Sequence, residues 1–465
     1  MDTSVHDGPT CRDQAREPRS AAGTGRLGVT RDLRWVRRFR RLIASELPAL
    51  LDLAQDELGR DRFELLAADF VPLLTSCRWH ERNARRILAS RSVRSGSLWQ
   101  LGQRHRLVRA PLGRVAIIAT WNYPVQLLGV QLVQAITGGN SVVVKPSERA
   151  PRIQLALLEL ARSAGLDQHR LSWTEPTRDA GQRLLDDHRF DHIVFTGSTE
   201  VGRSIAASLA ESLTPSTLEL SGADSAIVLS DADPQLAARS IGYGSRLNAG
   251  QTCMAPRRVI VHRDLARDLV ANLREHARDH PLPARLTDEQ WARCIELARD
   301  AASRRVLSQP APEPHQDDDP QRVLVIDACP PDAPAAVGDH FGPVIAVLHA
   351  ESDNHALKLH HRFDRHLATS LFTRRVRWAR TIAPALGAGV VTINDAIIPT
   401  AHPGLGLAGR GPSGWGITRG EPGLLAMTRP VTCTTTMARV RAPTTPPTRG
   451  AQGCIERLVE LWYSR

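Results

Sequence analysis

From residue 114 to residue 220 the chain alternates short apolar runs with helical stretches, and that alternation constrains its fold more than any other feature. R-V-A-I-I-A-T (114–120) reads as a buried strand, 126–136 as a helix, S-V-V-V-K as a second strand and 153–164 as a second helix. The run D-H-I-V-F, a helix over 203–213 and a strand over 216–220 complete the series. Near-continuous apolar strands separated by helices predict a parallel sheet with both faces covered, a Rossmann-like α/β layer. Functional groups in such sheets gather at the carboxyl ends of the strands. The chain places Asn122, the K-P-S-E run and T-G-S-T-E-V-G at those ends.

Flanking segments follow from pattern and composition. Residues 1–30 are polar and rich in Gly, Arg and Ser, which predicts a flexible tail. Residues 31–94 carry helical spacing, with Leu42, Leu47, Leu50, Leu51 and Leu58 followed by Phe63, Leu66, Phe70 and Leu73. A second α/β section runs over about 226–392, and within it the polar, Pro-rich stretch 281–334 reads in part as a surface loop. Residues 442–453 form a Pro/Thr linker. Beyond it, Ile455, Leu458, Val459 and Trp462 make one apolar stripe on a short helix, suited to docking on the body or on a partner subunit, with peripheral membrane contact as the alternative.

Composition narrows the class. With 465 residues, 42% of them hydrophobic, the chain is long enough for two large domains. No apolar run approaches the roughly 20 residues that span a bilayer, and the N-terminus lacks the apolar core of a secretory signal. Seven scattered cysteines argue for a reducing compartment, and the cytoplasm is expected. The net charge of +11 comes almost wholly from arginine, because Lys145 and Lys358 are the only lysines. The densest cluster, Arg34, Arg37, Arg38, Arg40 and Arg41, alternates with apolar residues as the wet face of an amphipathic helix does. Aromatic residues are 4% of the chain, with no interleaved stacking platform, so nucleic acid is not an expected partner.

One cysteine stands apart. Cys253 lies in N-A-G-Q-T-C-M-A-P, among small and polar residues, directly before the apolar run Val259-Ile260-Val261. A thiol on a small-residue loop beside a buried strand is accessible to a substrate carbonyl. By itself the pattern also fits an ordinary reduced cysteine. Glu219, in T-L-E-L, is an isolated carboxylate among apolar neighbours, where burial raises a pKa toward the working pH; a strand glutamate facing solvent is the alternative. Asn122 precedes Tyr-Pro and fits either a turn or a side-chain donor at a strand end.

Taken in order, T-W-N-Y-P, V-V-V-K-P-S-E, F-T-G-S-T-E-V-G, L-T-P-S-T-L-E-L-S-G, N-A-G-Q-T-C-M-A-P and H-F-G-P-V resemble the NAD(P)-dependent aldehyde dehydrogenase superfamily over about residues 31–435. The forms T-W-N-Y-P and L-T-P-S-T-L-E-L are most similar to its class 3 branch. The resemblance implies an aldehyde dehydrogenase-like α/β fold with three parts. These are a Rossmann-like NAD-binding domain over 31–222, a catalytic domain over 223–410, and a bridging piece that combines the segment near 105–115 with a late strand in the return segment 411–441. The linker and short helix over 442–465 lie beyond the resemblance. The resemblance also implies oxidation of a medium- or long-chain aliphatic or an aromatic aldehyde to the acid, in a homodimer and with no metal. Cys253 would be the nucleophile and Glu219 the base that activates water. Asn122 and the Cys253 backbone N–H would hold the oxyanion. Lys145 and Glu148 would hold the adenosine ribose, Gly197, Ser198 and Gly202 the pyrophosphate, and Asp339 and Phe341 the nicotinamide end. Trp121, Ser147 and Leu220 fall along the same groove. A carboxylate at Glu148 favours NAD, with NADP also possible.

Several positions depart from the family pattern. Asp339 stands where a glutamate is usual, one methylene shorter against the nicotinamide ribose. The usual E-L-G-G-K is Glu219-Leu220-Ser221-Gly222-Ala223, and a serine at 221 is costly if the backbone there needs a positive φ. Residues 279–337 look shortened. These departures keep two alternatives open: a catalytically weakened or non-catalytic descendant, and a CoA-acylating dehydrogenase. Against the second, Glu219 supplies a base that hydrolysis needs and CoA transfer does not.

Overall fold

A computed structural model describes residues 26–94, 100, 102–187, 189–304, 321–437 and 445–464. The alternating segment forms a six-stranded sheet in the order Gly414–Trp415, Ser216–Leu220, His192–Gly197, Arg114–Ile118, Ser141–Lys145, Leu171–Trp173. All pairings are parallel except the first, where Gly414 sits opposite Glu219. Val115, Ile117, Val142, Val144 and Val194 are buried against the helices Gln126–Thr137 and Pro151–Ser163, which is why these strands read as unbroken apolar runs.

A second six-stranded parallel sheet follows, ordered Leu324–Ile326, Val344–Ala350, Pro256–His262, Asp224–Val228, Ala368–Phe372, Val390–Ile393. Its faces are filled by two clusters, one around Ile227, Ile260 and Leu348 and the other around Val228, Val259 and Val347. The strand that carries Glu219 belongs to the first sheet and the strand that follows Cys253 belongs to the second. The space between the sheets is therefore where thiol and carboxylate meet.

Four helical segments precede the first sheet: Arg26–Ser45, Leu47–Leu58, the short Arg62–Leu65 continued by a π-type turn Leu66–Phe70, and Val71–Ile87. Trp35, Val36, Phe39 and Ile43 are buried on the first helix while Arg34, Arg37, Arg38 and Arg41 face water, as the charge spacing predicts. That helix begins inside the expected tail of 1–30. Val29 is drawn into a small apolar cluster with Ala84, Ile87, Leu88 and Leu424, and this contact favours helix from Arg26 onward. Residues 1–25 lie outside the described part.

Within 281–334 the chain forms a helix, Asp288–Ser303, and the edge strand Leu324–Ile326. Thr287 and Gln290 make a reciprocal capping box at the start of that helix, a start signal present in T-D-E-Q. The acidic run 317–319 lies outside the described residues. A third sheet of three antiparallel strands, Arg91–Val93, Gln103–Pro111 and Thr428–Thr436, stands apart. It joins the segment expected near 105–115 to the late β-branched strand. The final helix, Arg449–Tyr463, has no buried residue, so its stripe does not dock into the body. No described helix is long and apolar enough to cross a membrane.

Candidate active site

Three consecutive positive-φ residues turn the chain into the cysteine loop: Asn248 at 50°, Ala249 at 52° and Gly250 at 75°. Gly250 is required there, because a Cβ would lie 2.4 Å from the carbonyl carbon of Gly342. That close approach seats the loop directly on the H-F-G-P segment. Asn248 tolerates the left-handed region and uses its side chain to donate to the carbonyls of Asn122, at 2.9 Å, and Gln251, at 3.3 Å. Thr252 is fixed by the Tyr123 hydroxyl at 2.6 Å.

Cys253 leaves this loop half-buried, against Met254, Leu367, Ala368 and Leu407. Its thiol faces the Glu219 carboxylate, with Sγ 3.8 Å from Oε1. Glu219 is 3% exposed, so the strand-to-solvent alternative is excluded. Its other oxygen accepts from the Thr418 hydroxyl at 3.4 Å. Burial pushes the carboxyl above its ordinary range, against the Arg419 charge and the Thr418 and Cys253 hydrogen bonds that pull it down. Burial, and after it the negative charge of Glu219, pushes the thiol well above its ordinary value. At rest the pair therefore favours a protonated thiol.

Asn122 is buried, with Oδ1 accepting from Thr120 at 3.1 Å and Nδ2 donating to the Gln251 carbonyl at 3.0 Å. Its amide is thus aimed at the cysteine loop, two residues short of Cys253. A buried ionic group holds this strand end in place. Arg60, 4% exposed, pairs with Glu64 at 2.8 Å and Asp69 at 3.0 Å, and donates to the Asn122 carbonyl at 3.0 Å. Glu64 accepts from the Asn248 N–H, and Asp69 from the N–H groups of Val125 and Gln126. Removing one partner of such a buried pair typically costs about 3–5 kcal/mol.

Of the expected cofactor residues, Trp121, Lys145, Ser147, Glu148, Gly197, Ser198 and Leu220 lie at or just beyond the carboxyl ends of strands of the first sheet, whereas Asp339 and Phe341 precede a strand of the second. Lys145, 5% exposed, is ion-paired with the exposed Glu148, and Arg178 lies 3.7 Å from the other Glu148 oxygen. Burial of Glu148 is outweighed by the hydrogen bond and charge of Lys145, which hold its carboxyl below the usual range. Ser147 is turned inward: its N–H donates to Gln154 and its hydroxyl accepts from the Arg149 N–H. That hydroxyl braces the turn that presents Lys145 and Glu148. Ser198 caps the helix Thr199–Ser212 through the Val201 N–H, so the helix starts four residues before the expected 203. Gly202 lies under Leu220, whose Cδ2 is 2.3 Å from where a Cβ would stand. Trp121 meets Phe341 edge-to-face, centroids 6.0 Å apart, and the Arg149 guanidinium covers the other side of the indole at 3.4 Å.

Two departures can now be judged. Ser221 is buried without a positive φ, so the expected strain is absent; its carbonyl accepts from the Ser413 hydroxyl. Asp339 lies 3.4 Å from the Arg257 guanidinium, and its buried Oδ1 receives no hydrogen bond. An acceptor of that kind beside an aromatic pair fits a sugar hydroxyl and a planar ring, so the residues present suit a dinucleotide. Sequence reasoning missed Arg60, Arg149, Arg257 and Arg419. The one visible signal was two adjacent arginines, Arg257 and Arg258, heading an apolar strand.

A half-buried thiol faces a buried carboxylate between two α/β sheets, an arrangement suited to covalent catalysis. The chain matches the aldehyde dehydrogenase family over residues 13–433 and belongs to that family. It is 32% identical over 330 residues to the mouse dimeric NADP-preferring aldehyde dehydrogenase, covering 67% of this chain and 69% of that one. It is 27% identical over 397 residues to the 4,4'-diaponeurosporen-aldehyde dehydrogenase of Staphylococcus aureus, covering 83% and 85%. The fold is similar to that of the substrate-bound Staphylococcus aureus protein AldH, with a TM-score of 0.82 and 25% identity over 92% of this chain and 95% of that one.

Proposed function

We propose that this protein oxidises an aldehyde to its carboxylic acid through a thioester on Cys253. The observation that carries the reading is the Cys253 thiol 3.8 Å from a buried Glu219. When bound, NAD(P) supplies the two-electron acceptor for the hydride. The thiol gives up its proton toward Glu219 and its sulfur bonds the carbonyl carbon, moving the π electrons onto oxygen. The Asn122 amide and the Cys253 N–H steady that oxyanion. Collapse of the adduct expels hydride and leaves the thioester. Glu219 passes the thiol proton on to solvent and, again a carboxylate, takes a proton from water as the hydroxide adds to the acyl carbon; the C–S bond breaks, the acid leaves and that proton returns from Glu219 to the sulfur.

Lys145 and Glu148 hold the adenosine ribose in this reading, with Gly197, Ser198 and Gly202 along the pyrophosphate. Trp121, Leu220, Asp339 and Phe341 flank the nicotinamide end. Glu148 favours NAD, and the nearby Arg178 charge leaves room for NADP. Met254, Leu367 and Leu407 around the thiol favour an apolar aldehyde, aliphatic or aromatic. We also infer a homodimer: Thr428–Thr436 is a nine-residue edge strand, exposed after Thr428, and such an edge invites a second copy. Sedimentation at micromolar concentration tests it.

The direct test is NADH or NADPH absorbance with acetaldehyde, nonanal and benzaldehyde, using Cys253→Ser as the control. Turnover lost in the variant supports the reading. Turnover that survives in the variant would remove the thioester from it.

A further inference from the structure

Arg257 is 1% exposed on the strand Pro256–His262, four residues beyond Cys253. Its guanidinium reaches three segments at once. Nη1 donates to the Gly222 carbonyl at 2.9 Å, three residues after Glu219. Nη2 donates to the Thr252 carbonyl at 3.1 Å, one residue before Cys253, and lies 3.4 Å from Asp339 Oδ1. The same group stands 5.5 Å from the centre of the Phe341 ring. Arg258 also donates to the turn after Glu219, at the Ala223 carbonyl, but its other contacts are Ser225, Ala336 and the Phe363 ring rather than the thiol loop or Asp339. Resting on the reading of Cys253 and Glu219 given above, we propose that Arg257 is a positioning residue that locks the thiol loop, the turn after Glu219 and Asp339 into one register. Asp339 is a short side chain, and here its placement is set by a fixed cation rather than by its own reach.

The physical case is geometric. A planar guanidinium presents several donors in a rigid fork, and an ammonium on a flexible stem cannot meet two carbonyls and a carboxylate in one plane. Both carbonyls are in buried turns, where an unmet acceptor is costly. Ala223 brings no charge to this turn, so the cation facing Gly222 is supplied from the neighbouring strand. A displacement of about 1 Å between reacting centres can cost about a hundredfold in rate. Losing the fork therefore changes hydride transfer more than it changes cofactor binding.

The test uses Arg257→Lys, Arg257→Gln, Asp339→Asn and the Arg257→Gln/Asp339→Asn double variant in the full chain. The first readout needs no cofactor: the rate of iodoacetamide modification at Cys253, followed on its own peptide by mass spectrometry. We expect that rate to rise severalfold in Arg257→Lys, which keeps the charge but loses the fork that anchors Thr252, to rise less in Arg257→Gln, where loss of the cation also raises the thiol pKa, and to stay unchanged in Asp339→Asn. The second is steady-state NADH formation with 1-deuterated and ordinary benzaldehyde. The Arg257 variants should lose up to about a hundredfold in kcat, with KM for NAD nearly constant and a larger deuterium isotope effect. The double variant should be no slower than Arg257→Gln, since acting through one carboxylate makes losses non-additive. Unchanged Cys253 alkylation in Arg257→Lys, a loss confined to KM, or additive losses would each overturn the proposal. If Arg257→Gln does not fold, Arg257→Lys carries the alkylation test and its cycle with Asp339→Asn carries the coupling test. A wild type without turnover would end the parent reading, and the alkylation arm would still decide on Arg257.

Discussion

Two glutamates stand at the carboxyl ends of strands in the same sheet, three strands apart, and their surroundings push them in opposite directions. Glu219 is 3% exposed, beside a thiol and a hydroxyl, and burial raises its pKa against the pull of Arg419. Glu148 faces water between Lys145 and Arg178, and its pKa is lowered because its cations outweigh its partial burial. A carboxylate held in one charge state suits binding, while one poised nearer neutrality suits proton transfer. The two surroundings thus suit different work: a fixed charge at the rim, at Glu148, and a movable proton at the centre, at Glu219.

The largest expected effect is at the centre. Cys253→Ser should leave no NADH formation above background, because a serine hydroxyl in this apolar, carboxylate-lined position has no base strong enough to ionise it. Glu219→Gln comes next, with steady-state turnover falling about 10²–10⁴-fold. A stopped-flow burst of about one NADH per active site should remain, since the thiol can also lose its proton to solvent and acylation needs no activated water. The same variant should alkylate faster at Cys253 than wild type at a given pH. Glu219 raises the thiol pKa, so removing its charge lowers that pKa and increases the thiolate fraction. A burst that vanishes together with turnover would show that Glu219 is the required acceptor of the thiol proton in the first step.

Asn122→Ala is expected to cost about 10²–10³-fold in kcat, the usual scale for one oxyanion donor. Part of that loss has a second source, because the Asn122 amide also bonds the Gln251 carbonyl. Cofactor-free alkylation of Cys253 in Asn122→Ala separates the two: lost loop support changes that rate, whereas loss of the oxyanion donor alone leaves it unchanged. A changed alkylation rate would place much of the role of Asn122 in loop support rather than in charge stabilisation.

How much of this was legible in the chain depends on how local the signal is. The parallel sheet could be read because each of its internal strands is an unbroken apolar run whose burial leaves no alternation. Cys253, Glu219 and Asn122 could be singled out as candidates because each sits in a short, ordered motif. Arg60, Glu64 and Asp69 could not, since their meeting depends on a π-type turn folding one helix end over a strand 60 residues later. Arg257 was hidden for the same reason: its three partners come from Gly222, Thr252 and Asp339, and no spacing rule links them. The strain expected at Ser221 failed because the cost of a side chain depends on φ, and φ is not written in the sequence.

The smallest expected effect is at the rim, where solvent screens each charge. Glu148→Gln should weaken NAD by about tenfold in KM, the scale of losing a hydrogen bond to a charged group, while leaving kcat nearly unchanged. NADP should lose less, because the variant removes a negative charge that opposes a 2′-phosphate and leaves Arg178 and Lys145 in place. The pH profiles sharpen the contrast. Glu148 is anionic well below neutrality because its pKa is lowered, so KM for NAD should stay flat from mildly acidic to neutral pH. The pKa of Glu219 is raised and the base works when deprotonated. The wild-type kcat should therefore climb with pH through that raised value and level off above it, at a limit set by hydrolysis. In Glu148→Gln the climb should persist unchanged, whereas in Glu219→Gln that limb should disappear. A Glu148 variant that shifted the kcat limb would mean that the rim and the centre are electrostatically coupled across the sheet.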